Sequence, residues 1–349
     1  MSSKDTLLSS FSYQDVLKLK NRTVMSAMTR GFADKNNCAT ESIKNYYELR
    51  AKLGAGLILT EGIVIHHSAD GYNSVPRIET DAQATSWKPV IEAVQKHGTK
   101  IFCQLWHCGR ISHPDYTDGL PPVSSTNKAA EGINRQNNKP YGTPVALTKD
   151  GISEVHSQYL QAAQKSIHAG FDGFQIHLGH GYLADSFFDS RINNRTDEYG
   201  GSIENRCRFA LELIAATMKN FKKNQVIVRI SPSREMNGLY NWPDMDEMLN
   251  YFIPRVWDMG VRILDISCAR ADYFQTSGQV IRKVRKMWPG VIMGGASLTP
   301  EQAEAEIAEG LIDLVTWGRF FIANPDLVEK IQQNKTLIEF NPTMLGQLI

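Results

Sequence analysis

The stretch QIHLGHGYL, residues 175–183, contains two histidines, His177 and His180, followed closely by Tyr182. Zinc-binding histidines typically show HxxxH spacing on one helical face, with a third ligand to be found nearby. Here the spacing is HxxH and no matching Asp, Glu or Cys pair marks a ligand set, so a metal site is the weaker interpretation. Two neutral imidazoles could instead stabilise an oxygen on which negative charge develops, and Tyr182 could act as a general acid. For either histidine, the structural alternative is a satisfied core residue.

An arginine and two glycine-containing turns are further candidates for ligand contacts. Arg229 lies inside the apolar run QVIVRIS, where a guanidinium is costly to bury unless it meets an anion or several acceptors. We therefore expect it to contact a ligand, with an internal ion pair as the alternative. Small residues recur in GGAS, at Gly295 and Ala296, and in WGR, at Gly318 beside the cation Arg319. The small residues of such turns let a phosphate approach the backbone N–H groups closely, and Arg319 could donate two hydrogen bonds to it.

The composition of the 349-residue chain is that of a globular protein, with 42% hydrophobic residues and a formal net charge of +1. This charge gives no whole-chain attraction to nucleic acid or anionic membranes. No apolar run is long enough to span a membrane, and the first residues do not resemble a secretory signal. The five cysteines are scattered without a CxxC motif, which predicts free thiols and a cytoplasmic location.

Short apolar runs, most of them apolar on both faces, alternate with helical patterns. This alternation predicts parallel strands covered on both sides, in a (β/α)8 TIM barrel of the α/β class. An open, doubly wound sheet is the rival fold, but GxGxxG is absent. The predicted strands are 23–28, 56–62, 100–106, 173–179, 225–231, 262–268, 291–297 and 313–319.

The barrel prediction extends over residues 1–349 as a single domain with one long excursion. Residues 107–151 are rich in Pro, Gly, Ser and Asn, and an insertion of that length is usually a functional cover. We expect a loop or small hairpin over the barrel mouth, after the third strand. Because a TIM barrel holds its active site at the carboxyl ends of its strands, the residues named above should gather there.

The chain resembles the old yellow enzymes, FMN-dependent ene-reductases built on a TIM barrel. The resemblance runs from about Asn21 to Pro325. Its motifs, in order, are NRTVMSAMTR, GLILTEG, FCQLWHCGRISHP, FDGFQIHLGHGYL, NRTDEYGGSIENRCRF, VIVRISP and GLIDLVTWGRFFIANPDL.

The resemblance implies that FMN is the cofactor and that NADPH or NADH is the hydride donor. It places Thr29 near the flavin C4 oxygen, Gln104 at the pyrimidine edge, and Arg229 near N1 and O2, where its charge favours the anionic reduced flavin. The remaining implied contacts are Ala27, Met28 and Gly62 with the ring system, and Gly295, Ala296, Gly318 and Arg319 with the phosphate.

The resemblance also implies a site for an α,β-unsaturated carbonyl compound. His177 and His180 would bind the carbonyl oxygen, Tyr182 would protonate the alpha carbon, and Tyr72 and Trp106 would line the pocket. Two alternatives use the same barrel. A catalytic lysine at a strand end would favour a phosphosugar lyase or isomerase, but no lysine lies at the carboxyl ends of the predicted strands. An FMN-binding protein without turnover would need no acid, whereas His177, His180 and Tyr182 are all present.

The chain departs from the family pattern in three places. Ser26 stands where the family often has alanine, and Ala27 where it often has proline. Asp189 and Ser190 replace a Ser-Pro pair after the fourth strand, and Arg191 is added beside them. The ending LIEFNPTMLGQLI lacks the Gly- and Tyr-rich segment of many relatives.

Overall fold

Eight parallel strands form a closed barrel in the computed structural model, which describes residues 6–235, 238–269 and 271–349. Each strand pairs with the next along the chain, and the eighth closes the ring on the first. This confirms the TIM-barrel prediction and excludes the open sheet. The strands are β1 Thr23–Met25, β2 Leu57–Val64, β3 Lys100–Trp106, β4 Gly173–His177, β5 Val226–Ile230, β6 Ile263–Ile266, β7 Val291–Gly295 and β8 Leu314–Trp317.

Helices follow every strand and cover the outside of the barrel. Local signals set their ends: α4 begins after the N-cap Thr148 and stops at Gly170, whose φ is 108°. In the described part of the chain, none of the helices is long and apolar enough to cross a membrane. The helices are α1 Glu41–Lys52, α2 Asp81–Ser86, α3 Lys88–Gln95, α4 Lys149–Ala169, α5 Leu183–Phe188, α6 Ile203–Asn220, α7 Met245–Asp258, α8 Ser277–Val284, α9 Pro300–Ala308, α10 Arg319–Ala323 and α11 Leu327–Gln332.

An antiparallel hairpin closes the amino-terminal end of the barrel. Its strands, Phe11–Tyr13 and Leu17–Leu19, precede β1. Their apolar side chains join the inward-facing residues of the barrel strands in one buried cluster. Within that cluster Phe102 fills the space left by Gly173, where an added Cβ would lie 2.3 Å from the phenyl ring. The lower barrel is therefore a packed apolar core.

The excursion after β3 is built from very short strands and packs on neighbouring loops. Val123–Ser124 pairs with Val145–Ala146, and Ile133–Asn134 forms a hairpin with Lys139–Pro140. Asn134 donates to the carbonyl of Gly71, after β2, at 3.2 Å. This region therefore contacts a loop at the carboxyl end of the barrel. A second hairpin, Ser233–Glu235 with Leu239–Asn241, follows β5. Single 3-10 turns lie at His67–Ala69, Pro114–Tyr116, Lys223–Gln225 and Pro342–Gly346.

Candidate active site

The two histidines meet across the turn that ends β4. His177 is the last residue of the strand, and His180 follows in a left-handed conformation with φ of 61°. Nε2 of His177 lies 3.2 Å from Nδ1 of His180. The turn fits closely against β5 because Gly179 lacks a side chain: a Cβ there would lie 2.4 Å from Oγ of Ser231. That hydroxyl accepts the backbone N–H of His180 at 2.6 Å, so the turn is held at both sides.

Both imidazoles are neutral at pH 7. Burial lowers the pKa of His177 and of His180 well below the usual range, and the positive charges of Arg229 and Arg234 lower it further. The outer nitrogens have polar neighbours. The N–H of Gly179 points at Nδ1 of His177 from 3.5 Å, while Nε2 of His180 lies 3.2 Å from the hydroxyl of Ser267. The pair is thus uncharged and held by hydrogen bonds.

Tyr182 lies beside the histidines in an aromatic wall. Its ring centroid is 5.4 Å from that of His177 and 5.0 Å from that of Trp106. Trp106 also packs on Tyr72, at 4.8 Å, and the two tyrosine hydroxyls are 2.9 Å apart. Burial raises the pKa of Tyr182 well above its ordinary value, with further contributions from Tyr72 and Cys108. Tyr182 therefore keeps its proton at neutral pH.

Arg229 lies beneath this group, on the strand next to His177. The register aligns His177, Arg229 and Asp265 on β4, β5 and β6. Nη2 of Arg229 donates to Oγ of Ser267 at 2.9 Å, and Nη1 lies 3.5 Å from both Asp265 and Ser26. The internal ion pair that was the alternative interpretation is therefore present. Yet Nε of Arg229 is buried without a hydrogen-bond partner among the described residues, so the guanidinium is only partly satisfied.

Gln104 belongs to the same buried polar layer. It is in register with Gln175 on β4, and its side-chain amide donates to that of Gln175 at 2.7 Å. Gln175 in turn donates to Asp265 at 2.9 Å. Sequence reasoning missed Gln175 and Asp265. The signal was available for Asp265, because RILDISC carries an acid inside an apolar run, as QVIVRIS carries Arg229.

The end of β7 makes a tight turn against β8. Gly295 has a φ of 153°, and an added Cβ would lie 2.7 Å from the carbonyl oxygen of Thr316. Ala296 follows in a left-handed conformation, with φ of 51°. Its N–H donates to that same carbonyl at 2.8 Å. The turn is thus fixed by the neighbouring strand, and one of its N–H groups is already engaged there.

The end of β8 meets the end of β1. A Cβ on Gly318 would lie 2.7 Å from Cγ of Met28, so the missing side chain lets the two strand ends approach. Ala27 and Met28 are half-buried at this junction. Arg319 is exposed at the start of α10, and its guanidinium lies 5.6 Å from the ring of Phe340 in the C-terminal tail. Residues from the first and last strands are therefore brought together.

The carboxyl end of β2 anchors the turn that carries Thr29. One oxygen of Glu61 accepts the N–H groups of residues 30 and 31, at 3.0 Å each, and Thr29 is left exposed. Burial raises the pKa of Glu61 to about 6. Gly62 is small for a local reason: a Cβ there would lie 2.4 Å from the indole of Trp106. Its size therefore positions an aromatic wall of the site.

The segment Asp189-Ser190-Arg191, which departs from the family pattern, forms a hydrogen-bonded clasp between two loops. Asp189 accepts two N–H groups of Arg191, both at 2.9 Å, and the hydroxyl of Tyr240 at 2.6 Å. Arg191 also donates to the carbonyl of Asn241 at 2.9 Å. Tyr240 and Asn241 belong to the hairpin after β5, so this clasp fixes the loops after β4 and β5 to one another.

A buried ion pair, which the sequence analysis did not predict, supports the turn that carries His180. Arg234, in the hairpin after β5, lies 2.6 Å from a carboxylate oxygen of Asp185 in α5. The same oxygen accepts the N–H of Gly181 at 2.7 Å, and the other accepts the indole N–H of Trp242 at 2.8 Å. The acid lies in the apolar stretch LADSFF, which was the available signal.

The C-terminal tail reaches the turn after β1. Arg30 donates to the carbonyls of Met344 and Gln347, at 3.0 and 2.6 Å. Its guanidinium also lies 4.7 Å from the ring of Tyr46. The ending that departs from the family pattern is therefore docked beside Thr29.

A second histidine pair lies just after β2. The potential metal ligands of His66, His67 and Glu79 lie within 4.8 Å of one another. Glu79 accepts both the backbone N–H and Nδ1–H of His67, at 2.7 and 2.8 Å. These bonds account for the cluster as a hydrogen-bonded tie within the loop after β2. In the part of the chain that the structure describes, His177 and His180 join no such three-ligand group.

Comparison with known families matches the chain to a family of flavin oxidoreductases. Residues 12–337 match the model of the NADH:flavin oxidoreductase / NADH oxidase family. The chain is 36% identical to 12-oxophytodienoate reductase 7 of Oryza sativa subsp. japonica, over 93% of this chain and 87% of that protein. It is also 36% identical to a putative 12-oxophytodienoate reductase-like protein 1 of Arabidopsis thaliana, covering 91% and 98% of the two chains.

Solved structures give the same result. The old yellow enzyme homologue from Zymomonas mobilis superposes with a TM-score of 0.90 at 30% identity, covering 99% of each chain. Morphinone reductase superposes with a TM-score of 0.88 at 33% identity, covering 99% of this chain and 94% of that one. A further morphinone reductase structure holds tetrahydroNAD.

Proposed function

The chain belongs to the NADH:flavin oxidoreductase / NADH oxidase family, the old yellow enzymes, and on this premise we propose that it reduces the alkene of an α,β-unsaturated carbonyl compound. As a family member it is an oxidoreductase with FMN as cofactor and a reduced nicotinamide as hydride donor. Relatives named 12-oxophytodienoate reductase and morphinone reductase support the ene-reductase assignment.

The residues at the barrel mouth suit FMN. Arg229 is buried with an unpartnered Nε, as expected of a cation that faces an electron-rich ring edge. Gln104 would meet the pyrimidine edge, while Ala27, Met28 and Thr29 line the turn after β1. Gly62 would lie beside the ring system, behind Trp106. The phosphate would lie at the β7 and β8 turns, near Gly295, Ala296, Gly318 and Arg319.

Held by Arg229, Gln104 and the turns after β1, β7 and β8, FMN would supply the hydride chemistry that links a reduced nicotinamide to the beta carbon of the alkene. The histidine pair would hold the carbonyl oxygen. Arg229 donates into Ser267 Oγ, which leaves the hydroxyl proton of Ser267 to point at His180 Nε2. The N–H of Gly179 points at His177 Nδ1. Both contacts favour protons on the two nitrogens that face each other, which places two N–H donors only 3.2 Å apart. A carbonyl oxygen that accepts from both donors would relieve their repulsion.

Tyr182 would then supply the proton for the alpha carbon. Its raised pKa keeps the hydroxyl protonated, and the hydroxyl of Tyr72 at 2.9 Å holds its orientation. The observation that carries the proposal is this convergence of two neutral imidazoles and a protonated phenol above a buried arginine. A proton donor near an oxygen-binding pair is what protonation beside a polarised carbonyl requires.

The test follows the flavin spectrum of the purified protein. With oxygen excluded, we expect a yellow protein whose visible absorbance is bleached by NADPH or NADH and restored by an enone such as cyclohexenone. A colourless protein that does not bind added FMN would contradict the proposal. Bleaching without restoration by any of a panel of enones and nitroalkenes would instead show an FMN-binding protein without this turnover.

A further inference from the structure

A buried chain of two amides and a carboxylate runs across the inside of the barrel. Gln104, Gln175 and Asp265 lie on β3, β4 and β6, and their exposed fractions are 5%, 0% and 0%. Gln104 Nε2 donates to Gln175 Oε1 at 2.7 Å, and Gln175 Nε2 donates to Asp265 Oδ2 at 2.9 Å. Neither glutamine side chain can turn freely, because each is enclosed in the packed barrel.

The carboxylate of Asp265 sets the direction of both hydrogen bonds in this series of side chains. An ionised carboxylate only accepts hydrogen bonds, so Gln175 must present its NH₂ group to Asp265. Its carbonyl then faces Gln104 and accepts the NH₂ group of that side chain. The carbonyl oxygen of Gln104 is consequently the end that remains for a ligand, and it can accept a hydrogen bond from an N–H group.

Asp265 also lies against the cation of the site. Its Oδ2 is 3.5 Å from Nη1 of Arg229, and its Oδ1 is buried without a hydrogen-bond partner among the described residues. Burial raises the pKa of Asp265, and the charge of Arg229 opposes that rise. Arg229 therefore faces a ligand with part of its charge balanced from the side away from the histidines.

We propose that Asp265 is a positioning residue: through Gln175 it fixes the carbonyl of Gln104 toward the N–H of the flavin pyrimidine edge, and it offsets part of the charge that Arg229 presents to the flavin. This inference rests on the FMN site proposed above. It assigns two tasks to one acid, and the tasks can be separated by substitution.

The charge task is tested by Asp265→Asn, which keeps a side chain of the same shape. Reduced flavin carries more negative charge than oxidised flavin, so removing a nearby negative charge should favour the reduced form. We expect the ratio of affinities for reduced and oxidised FMN to rise about tenfold, which corresponds to a rise of about 30 mV in the two-electron midpoint potential.

The orientation task is tested by Gln175→Met, which breaks the hydrogen bonds between the amides and keeps Asp265. It should weaken oxidised FMN binding about three- to tenfold, as expected for one hydrogen bond, with a smaller change in potential.

The matched control is Glu306→Gln. Glu306 is a buried carboxylate on α9, paired with Tyr273 and Arg282 outside the barrel. The four proteins are compared by FMN fluorescence titration and by spectroelectrochemistry of the FMN-loaded forms. A positive shift in Asp265→Asn that is absent in Glu306→Gln, with affinity loss in Gln175→Met, supports the inference. Lowered stability in Asp265→Asn with an unchanged potential overturns it. Failure of the wild-type protein to bind FMN would overturn the proposed function instead.

Discussion

The side chains that point into the barrel change from apolar to polar over two residues along three of its strands. On β3, β5 and β6 the lower inward-facing residues are Phe102, Ile227 and Ile263, which belong to the apolar cluster above the N-terminal hairpin. Two residues further along, the same strands carry Gln104, Arg229 and Asp265. Since side chains alternate between the two faces of a strand, both sets point inward. The lower layer, formed by Phe102, Ile227 and Ile263, is therefore apolar. The upper layer, formed by Gln104, Arg229 and Asp265, is polar and charged.

This contrast separates the task of stability from that of chemistry. The lower layer removes apolar surface from water and contains no group that can bind a polar ligand. In the upper layer, Nε of Arg229 and Oδ1 of Asp265 have no hydrogen-bond partner among the described residues, which is costly for folding and useful for a ligand. Substitutions in the two layers should consequently fail in different ways, and the following predictions test that difference.

The largest effect on stability should come from the lower layer. Phe102→Ala leaves a cavity beneath the upper layer, and the free energy of unfolding should fall by about 3–5 kcal/mol. Urea unfolding measures this loss, and the FMN affinity of the fraction that folds should stay close to that of the wild-type protein. A loss of less than about 1 kcal/mol would show that the lower layer is not tightly packed.

The converse should hold for Arg229→Met in the upper layer. Loss of a charge-assisted contact to the flavin should weaken FMN binding by about 1.5–3 kcal/mol, or roughly 10- to 150-fold. Arg285→Met is the control, because Arg285 is a half-buried arginine that contacts Asp313 and Gly290 just before β8 and β7, at the amino-terminal end of the barrel. That variant should lose stability and keep its FMN affinity. Equal affinity loss in both would mean that Arg229 acts only through folding.

A smaller effect should appear as a dependence of stability on pH. The pKa of His177 is lowered in the folded protein, whereas an unfolded histidine titrates near about 6.5. Below that pH the unfolded chain binds more protons, so stability is full above about pH 6.5 and falls as the pH is lowered. Each buried neutral histidine contributes up to about 1.4 kcal/mol per pH unit.

Substitutions in the two layers should separate this slope from packing. His177→Asn should make the fall of stability between pH 6.5 and pH 5 less steep, while Phe102→Ala should lower the whole curve and keep its slope. Urea unfolding at several pH values provides the measurement. A parallel curve for His177→Asn would show that the histidine is already charged in the folded protein.

The sequence was most informative where a local pattern decides the structure. Apolar runs with intervening helices predicted the barrel. The start of α9 shows how local such signals are, because Thr299 caps the helix and Gln302 completes a capping box. Strand ends were predicted less well. The pattern TVMSAM runs to residue 28, whereas β1 stops at Met25, because the chain leaves the sheet to form the turn held by Glu61.

Partners across the barrel lay beyond such reasoning. Arg229 stood out because one charge interrupts an apolar run, but its neighbour Asp265 is 36 residues away and was found only through strand register. The ion pair of Asp185 and Arg234 was missed for the same reason, since it joins a helix to a hairpin in three dimensions. The size of Gly62 likewise reflects contact with Trp106, which a sequence pattern does not show.

Substitution of Tyr182, the proposed proton donor, tests most directly the claim that chemistry belongs to the carboxyl end of the barrel. The measurement is anaerobic stopped flow on Tyr182→Phe, with flavin reduction by NADPH and flavin reoxidation by an enone recorded separately. We expect reduction to remain near the wild-type rate and reoxidation to slow about 10²- to 10⁴-fold. The control Tyr159→Phe alters another buried tyrosine, on α4, and should leave both rates unchanged. An equal loss in both half-reactions of Tyr182→Phe, or no loss in either, would contradict this account.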